Sequence, residues 1–262
     1  MTQFRKLAIA GAVTALMMSA TAAEAHVSYN LGASTANNNA TGPWSGGAPV
    51  GYAASLPVTW IANIHNDINP NATYEVSKAN AIEEGAASTY AVETVANRWN
   101  PTRSWGNALD FGLIDLHTTG NLLIQVAADA SQSSTFTPGF TLFSGWADTG
   151  TGNKHGSWNG PTTALPGRNP SNPGTLGATG LTYVGHASTS IAGGIASYLF
   201  TGLTAGHYSL WIGGNGPEAS PVGSQSYVAN ITASPVPVPG AVWLFGSALA
   251  GVVGLRRRKI AA

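Results

Sequence analysis

The chain has 262 residues, 11 basic and 11 acidic, so its formal charge is zero and only 8% of it is charged, against about 25% in an ordinary soluble domain. Such a chain lacks the basic surface that nucleic acid demands, and the absence of cysteine excludes disulfides, thiolate metal sites and cysteine nucleophiles together. Eight Trp, eight Tyr and seven Phe argue against disorder and supply a core.

Arg5 and Lys6 open the chain, followed by an apolar run from Leu7 to Met18 and the small-residue site Ala23-Glu24-Ala25. That order is expected of a secretory signal peptide over residues 1–25. The run is shorter than the roughly 20 residues that span a bilayer. Cleavage between Ala25 and His26 makes His26 the first mature residue.

Strand signals dominate residues 26–233. Val27–Leu31, Val58–Ile64, Tyr90–Val95, Leu109–Leu116, Leu122–Ala127, Phe140–Phe143, Leu181–Val184, Ile195–Phe200, Tyr208–Ile212 and Tyr227–Thr232 are rich in β-branched or aromatic residues and bounded by turn formers. Between Lys78 and Gly85 a short helix is expected, with Glu83 and Glu84 ahead of a Gly85 stop. Ala33–Tyr52 and Thr149–Gly180 read as long loops. Ala205-Gly206 offers a tight turn after the Ile195–Phe200 strand, and Tyr208, Leu210 and Ile212 then share one face. The expected fold is all-β: an antiparallel, jelly-roll-like β-sandwich flanked by an N-terminal signal helix and a C-terminal transmembrane helix. Gly202–Ile212, Gly120–Ala127 and Phe140–Phe143 together resemble the β-sandwich domain at the C-termini of secreted bacterial peptidases. That resemblance spans roughly Leu109 to Thr232 and implies an accessory module without catalytic activity.

Residues 234–262 form a separate unit. Pro235, Pro237 and Pro239 prevent a helix before Gly240, and 241–255 are uncharged and apolar, so a transmembrane helix is expected there, with Trp243 at the interface and the basic residues after it cytoplasmic. Val236-Pro237-Val238-Pro239-Gly240, the apolar segment and the Arg256-Arg257-Arg258-Lys259 tail resemble a PEP-CTERM sorting signal. Val238 stands where that family usually carries Glu. The resemblance implies a Gram-negative exporter, partnership with the Sec machinery and an exosortase, transient residence in the inner membrane, and display at the cell surface. Without these ends, residues 26–234 hold five basic residues (Lys78, Arg98, Arg103, Lys154, Arg168) against ten acidic ones. The exported part is acidic.

No nucleophile elbow, zinc-protease helix, Walker loop or dinucleotide fingerprint occurs, so the chain reads as non-enzymatic. Its six histidines are His26, His65, His117, His155, His186 and His207. Without cysteine, imidazole is the neutral nitrogen ligand on offer, and it suits copper or zinc. A processed His26 would present its α-amine beside its ring, and His65 or His117, each at the end of an expected strand, could add a third nitrogen. No His-x-His or His-x-x-x-His spacing marks the set. The chain is also similar to methanotroph surface copper(I) proteins, which use two His and an oxidised Trp. Trp60 precedes His65 and Trp158 follows His155, but neither pair is close, and packing is the expected role of both rings. Calcium is a second option, through the Asp148–Asn153 loop or Asp110, Asp115 and Asp129 near strand ends, although solvated acids are the plainer reading.

Trp44, Trp99, Trp105, Trp146 and Trp158 lie in or beside polar loops, where exposed rings could stack on a sugar. Three functions follow: a surface or matrix component, with surface polysaccharide as a candidate partner; a surface copper-binding protein built on His26; or a carbohydrate-binding module.

Overall fold

A computed structural model describes residues 26–31, 44–46, 58–85, 92–95, 99, 110–146, 182–216 and 223–236. The expected signal peptide, the C-terminal apolar segment with its basic tail, the 149–180 loop and most of the 33–52 loop lie outside the described residues. No helix among the described residues is long and apolar enough to cross a membrane.

The elements run β1 (His26–Tyr29), β2 (Trp60–Ile64), β3 (Thr73–Val76), α1 (Lys78–Glu83), β4 (Glu93–Val95), β5 (Asp110–Leu116), β6 (Gly120–Ala128), a 3-10 turn (Ala130–Gln132), β7 (Pro138–Ser144), β8 (Thr182–Ser188), β9 (Ile195–Leu203), β10 (Gly206–Gly214) and β11 (Ser224–Ser234). They form two sheets, one ordered β1-β2-β5-β10-β7-β8 and the other β3-β11-β6-β9, with β4 also paired to β11. The protein is thus a two-sheet β structure with a single short helix among the described residues.

Period-two patterning builds the layers. Leu122, Ile124 and Val126 on β6 and Tyr227, Ala229, Ile231 and Ala233 on β11 turn inward. From the other sheet they meet Ala62, Ile64, Ile114, Leu116, Tyr208, Leu210 and Ile212. The shared inner face of Tyr208, Leu210 and Ile212 is as their spacing predicts. The six-stranded sheet also carries a second cluster on its outer face, including Trp44, Ile61, Trp99, Phe111, Leu113, Phe143 and Trp211. Its central strand β5 is therefore buried along nearly its whole length.

Helix α1 begins at Ser77, whose hydroxyl accepts the Asn80 N–H at 3.2 Å, one of the donors a helix start leaves open. It ends near Gly85, whose φ of +93° suits glycine alone. A 2.6 Å ion pair from Lys78 to Glu93 ties it to β4.

Three features depart from the expectation. Strand β3 is only four residues long; its Thr-Tyr-Glu-Val alternates exposed and buried and is recruited by pairing with β11. The turn at residues 204–205 makes no hairpin, because β9 pairs with β6 and β10 with β5 and β7. The chain changes sheets there, and the Tyr208 hydroxyl closes the corner by donating to the Thr204 carbonyl at 2.7 Å. Finally, β2 and β5 are parallel, whereas the other strand pairs among the described residues are antiparallel. Between them the chain crosses to the second sheet through β3 and β4, and such a crossover permits parallel pairing.

Candidate metal centre

Register from Trp60↔Gly112 to Ile64↔Leu116 makes β2 and β5 end together. The next residue on each is a histidine, and the ladder extends one step further, with the His117 N–H donating to the Ile64 carbonyl at 3.1 Å. By alternation, 61, 63 and 65 share a face with 113, 115 and 117, the face turned away from the inter-sheet core. The His65 and His117 rings meet there, centroids 4.0 Å apart at 64°.

A turn adds the third group. The His65 carbonyl accepts the Ile68 and Asn69 N–H groups at 3.1 and 2.8 Å, which folds the chain back and brings Asp67 over the histidines. Ligand atoms of His65, Asp67 and His117 all lie within 4.8 Å of one another. Two loops carry these ligands, and Asn66 clamps them. Its side-chain amide donates to the Thr118 carbonyl at 2.8 Å and its carbonyl accepts the Thr118 N–H at 3.0 Å. The Tyr74 hydroxyl accepts the His65 N–H at 2.9 Å, fixing the backbone from beneath.

Burial and the neighbouring His117 hold the His65 imidazole below its usual pKa, against the opposing pull of Asp67 and Asp115. A neutral ring keeps a lone pair for a metal. Two imidazoles and a carboxylate form a donor set for a first-row divalent ion.

Of the residues singled out in the sequence, His65 and His117 come together. His26 opens β1 opposite Asn63, on the diagonal to His65, a separation within reach of long side chains, and its charge is felt at His65. His186 is elsewhere, on β8, with its Nδ1 2.5 Å from the Tyr183 hydroxyl. Ala25, His155 and the sorting-signal residues Pro237, Val238, Pro239, Gly240, Arg256, Arg257 and Arg258 lie outside the described residues, and Val236 is exposed at their margin.

The calcium reading weakens where it can be inspected. Asp110 and Asp129 are buried, not solvated, because their oxygens are taken by the protein. Asp129 accepts the Ser131 N–H and hydroxyl at 3.0 and 2.6 Å. Asp110 accepts the Thr59 hydroxyl at 2.7 Å, its neighbour Phe111 N–H at 2.8 Å, and the Tyr227 hydroxyl. Trp60 completes that network by donating its indole N–H to the Tyr227 oxygen at 2.7 Å, so it packs in the core as expected. The Asp148–Asn153 loop is outside the described residues.

The sugar reading needed a row of exposed indoles. Trp44 and Trp99 are buried, Trp146 is stacked on His207, and Trp105 and Trp158 lie outside the described residues. Asp67 was missed because it sits in a polar turn; the one available signal was its place two residues after a strand-end histidine.

No family model matches the sequence, and no curated relative matches it. Among the solved structures to which the chain is similar are two bacterial proteins. One is CorA, a surface-associated copper-binding protein important in copper acquisition by Methylomicrobium album BG8, at 10% identity and a TM-score of 0.34, covering 56% of this chain and 95% of that one. The other is MopE, a secreted protein of Methylococcus capsulatus in which an oxidized tryptophan facilitates copper binding, at 12% identity and a TM-score of 0.33, covering 64% of this chain and 85% of that one.

Proposed function

We propose that this is an exported, non-enzymatic surface protein whose jelly-roll-like β-sandwich binds a copper ion through His65 and His117, with Asp67 and the processed His26 as further ligands. The meeting of His65 and His117 at 4.0 Å, with Asp67 beside them, carries the reading. Nothing in the packing requires two imidazoles and a carboxylate to converge at a solvent-facing strand end. Copper is favoured because it heads the affinity order of divalent ions for nitrogen and oxygen donors. His26 on the adjacent strand adds an imidazole and, after cleavage at Ala25, an amine. Export and surface display rest on the N-terminal signal and on the likeness of the C-terminal segment to an exosortase substrate.

Copper titration of the protein processed at Ala25, with wild type set beside a His65→Ala/His117→Ala double variant, tests the site. The double variant is expected to lose at least about 100-fold in affinity, as befits removal of two ligands. Equal copper content in the two proteins overturns the reading. His26→Ala separately tests the mature N-terminus, with a weaker but measurable loss expected.

A further inference from the structure

Beside the His65–His117 pair, the same face of the sheet holds a second group of potential ligands. Register places His26 opposite Asn63, Asn63 opposite Asp115, and Asp115 opposite His207. These four therefore lie in one row across β1, β2, β5 and β10, with His65 and His117 next along the strands. Asp115 stands between two imidazoles. One carboxylate oxygen is 3.9 Å from His117 Nε2, and the other is 3.9 Å from His207 Nε2.

Neither separation is a hydrogen bond. Each has the width that a metal ion with bonds of about 2.0–2.2 Å to nitrogen and oxygen would bridge. His207 is also held in position. Its ring lies flat on Trp146, centroids 3.6 Å apart and planes 2° from parallel. The Trp146 indole N–H donates to the Ile114 carbonyl at 3.3 Å, and the Gly145 N–H donates to the His207 carbonyl at 2.7 Å. With its face covered, the imidazole presents its nitrogen edge along the sheet toward Asp115. Its side chain nevertheless remains 44% exposed, open to an ion from solvent.

We propose that His207 and Asp115 form a second metal position, and that Asp115 bridges it to the ion at His117, one carboxylate oxygen on each. The proposal rests on the metal-binding reading above and extends it from one ion to a carboxylate-bridged pair. In two-metal sites the ions lie about 3.5–4 Å apart, a separation that a single bridging carboxylate can set.

Titration of the full chain with Cu²⁺, read by bound-metal analysis and electron paramagnetic resonance, tests this. Wild type is expected to bind two equivalents and to show the half-field signal of two coupled Cu²⁺ ions. His207→Ala should bind one equivalent, with the remaining affinity within about threefold of the tighter wild-type site and the half-field signal gone. An unchanged melting temperature in metal-free buffer would show that this variant folds. Binding of one equivalent by wild type, or of two by His207→Ala, overturns the second position and leaves the first intact. No copper bound by wild type overturns both, and loss confined to the His65→Ala/His117→Ala variant overturns only the second.

Discussion

Asn66 shapes the candidate site while its own amide is engaged with Thr118. It is buried, and its two hydrogen bonds to Thr118 are the direct link between the loops that carry His65 and His117. Asn66→Ala should weaken copper binding about 10- to 100-fold, as loss of groups that orient ligands does. It should also cost about 1–3 kcal/mol of stability through the unpaired Thr118 groups. Calorimetric titration and thermal melting would read the two effects. Asp110 is the other telling residue. Burial raises its pKa from 3.8 to about 7, against the opposing hydrogen bonds from Tyr227, Thr59 and Phe111. The folded state therefore holds a proton that the unfolded chain releases near pH 4. The contribution of this group to stability is greatest below that pH, falls as pH rises toward 7, and is level above it. The span is on the order of 4 kcal/mol. Urea denaturation of wild type and Asp110→Asn between pH 4 and 8 should show their stability difference shifting against the wild type across that window and constant above it. A difference independent of pH would refute the assignment.

At the level of strands and helix, much was legible. Period-two runs located most of the strands within a few residues, and the helix stop at Gly85 followed from glycine chemistry. β3 was not legible because four residues carry too little pattern, and partner β11 decides their fate. Parallel pairing of β2 with β5 was not legible either, since register between distant strands leaves no local mark. That pairing is what converts two isolated histidines into a pair, so His26, His65 and His117 were visible as residue types, Asp67 was not, and the geometry that joins them was not. His207 illustrates the same limit: its row-mate Asp115 is assigned only by register. The β2–β5 seam depends on Gly112, opposite Trp60, where a Cβ would enter the indole ring. Trp60 is fully buried and hydrogen-bonded to Tyr227, so it cannot step aside. Gly112→Ala should cost about 1–3 kcal/mol or more, seen as a lowered denaturation midpoint, and should loosen the metal site with it. Unchanged stability would mean that the strand can shift away from the indole.

For the molecule as a whole, the formal charge of zero conceals an acidic stretch, residues 26–234, between basic ends, and such a charge balance favours the approach of cations. Because ligands come from loops 52 positions apart in sequence, the unfolded chain has no such site, and copper should stabilise only the folded state. At a free copper concentration of about 100 times Kd the gain is about 2.7 kcal/mol. Differential scanning calorimetry should show the rise in Tm, its reversal by a chelator, and its absence in His65→Ala/His117→Ala. The parallel seam also decides when an ion can be acquired. His65 and His117 become neighbours only after the chain has travelled through β3, α1 and β4 and returned as β5. On the proposed route of export, a precursor threaded through a membrane as an extended polypeptide would thus cross it empty. On that proposal, the compartment in which the chain folds, not the one in which it is made, would choose the ion.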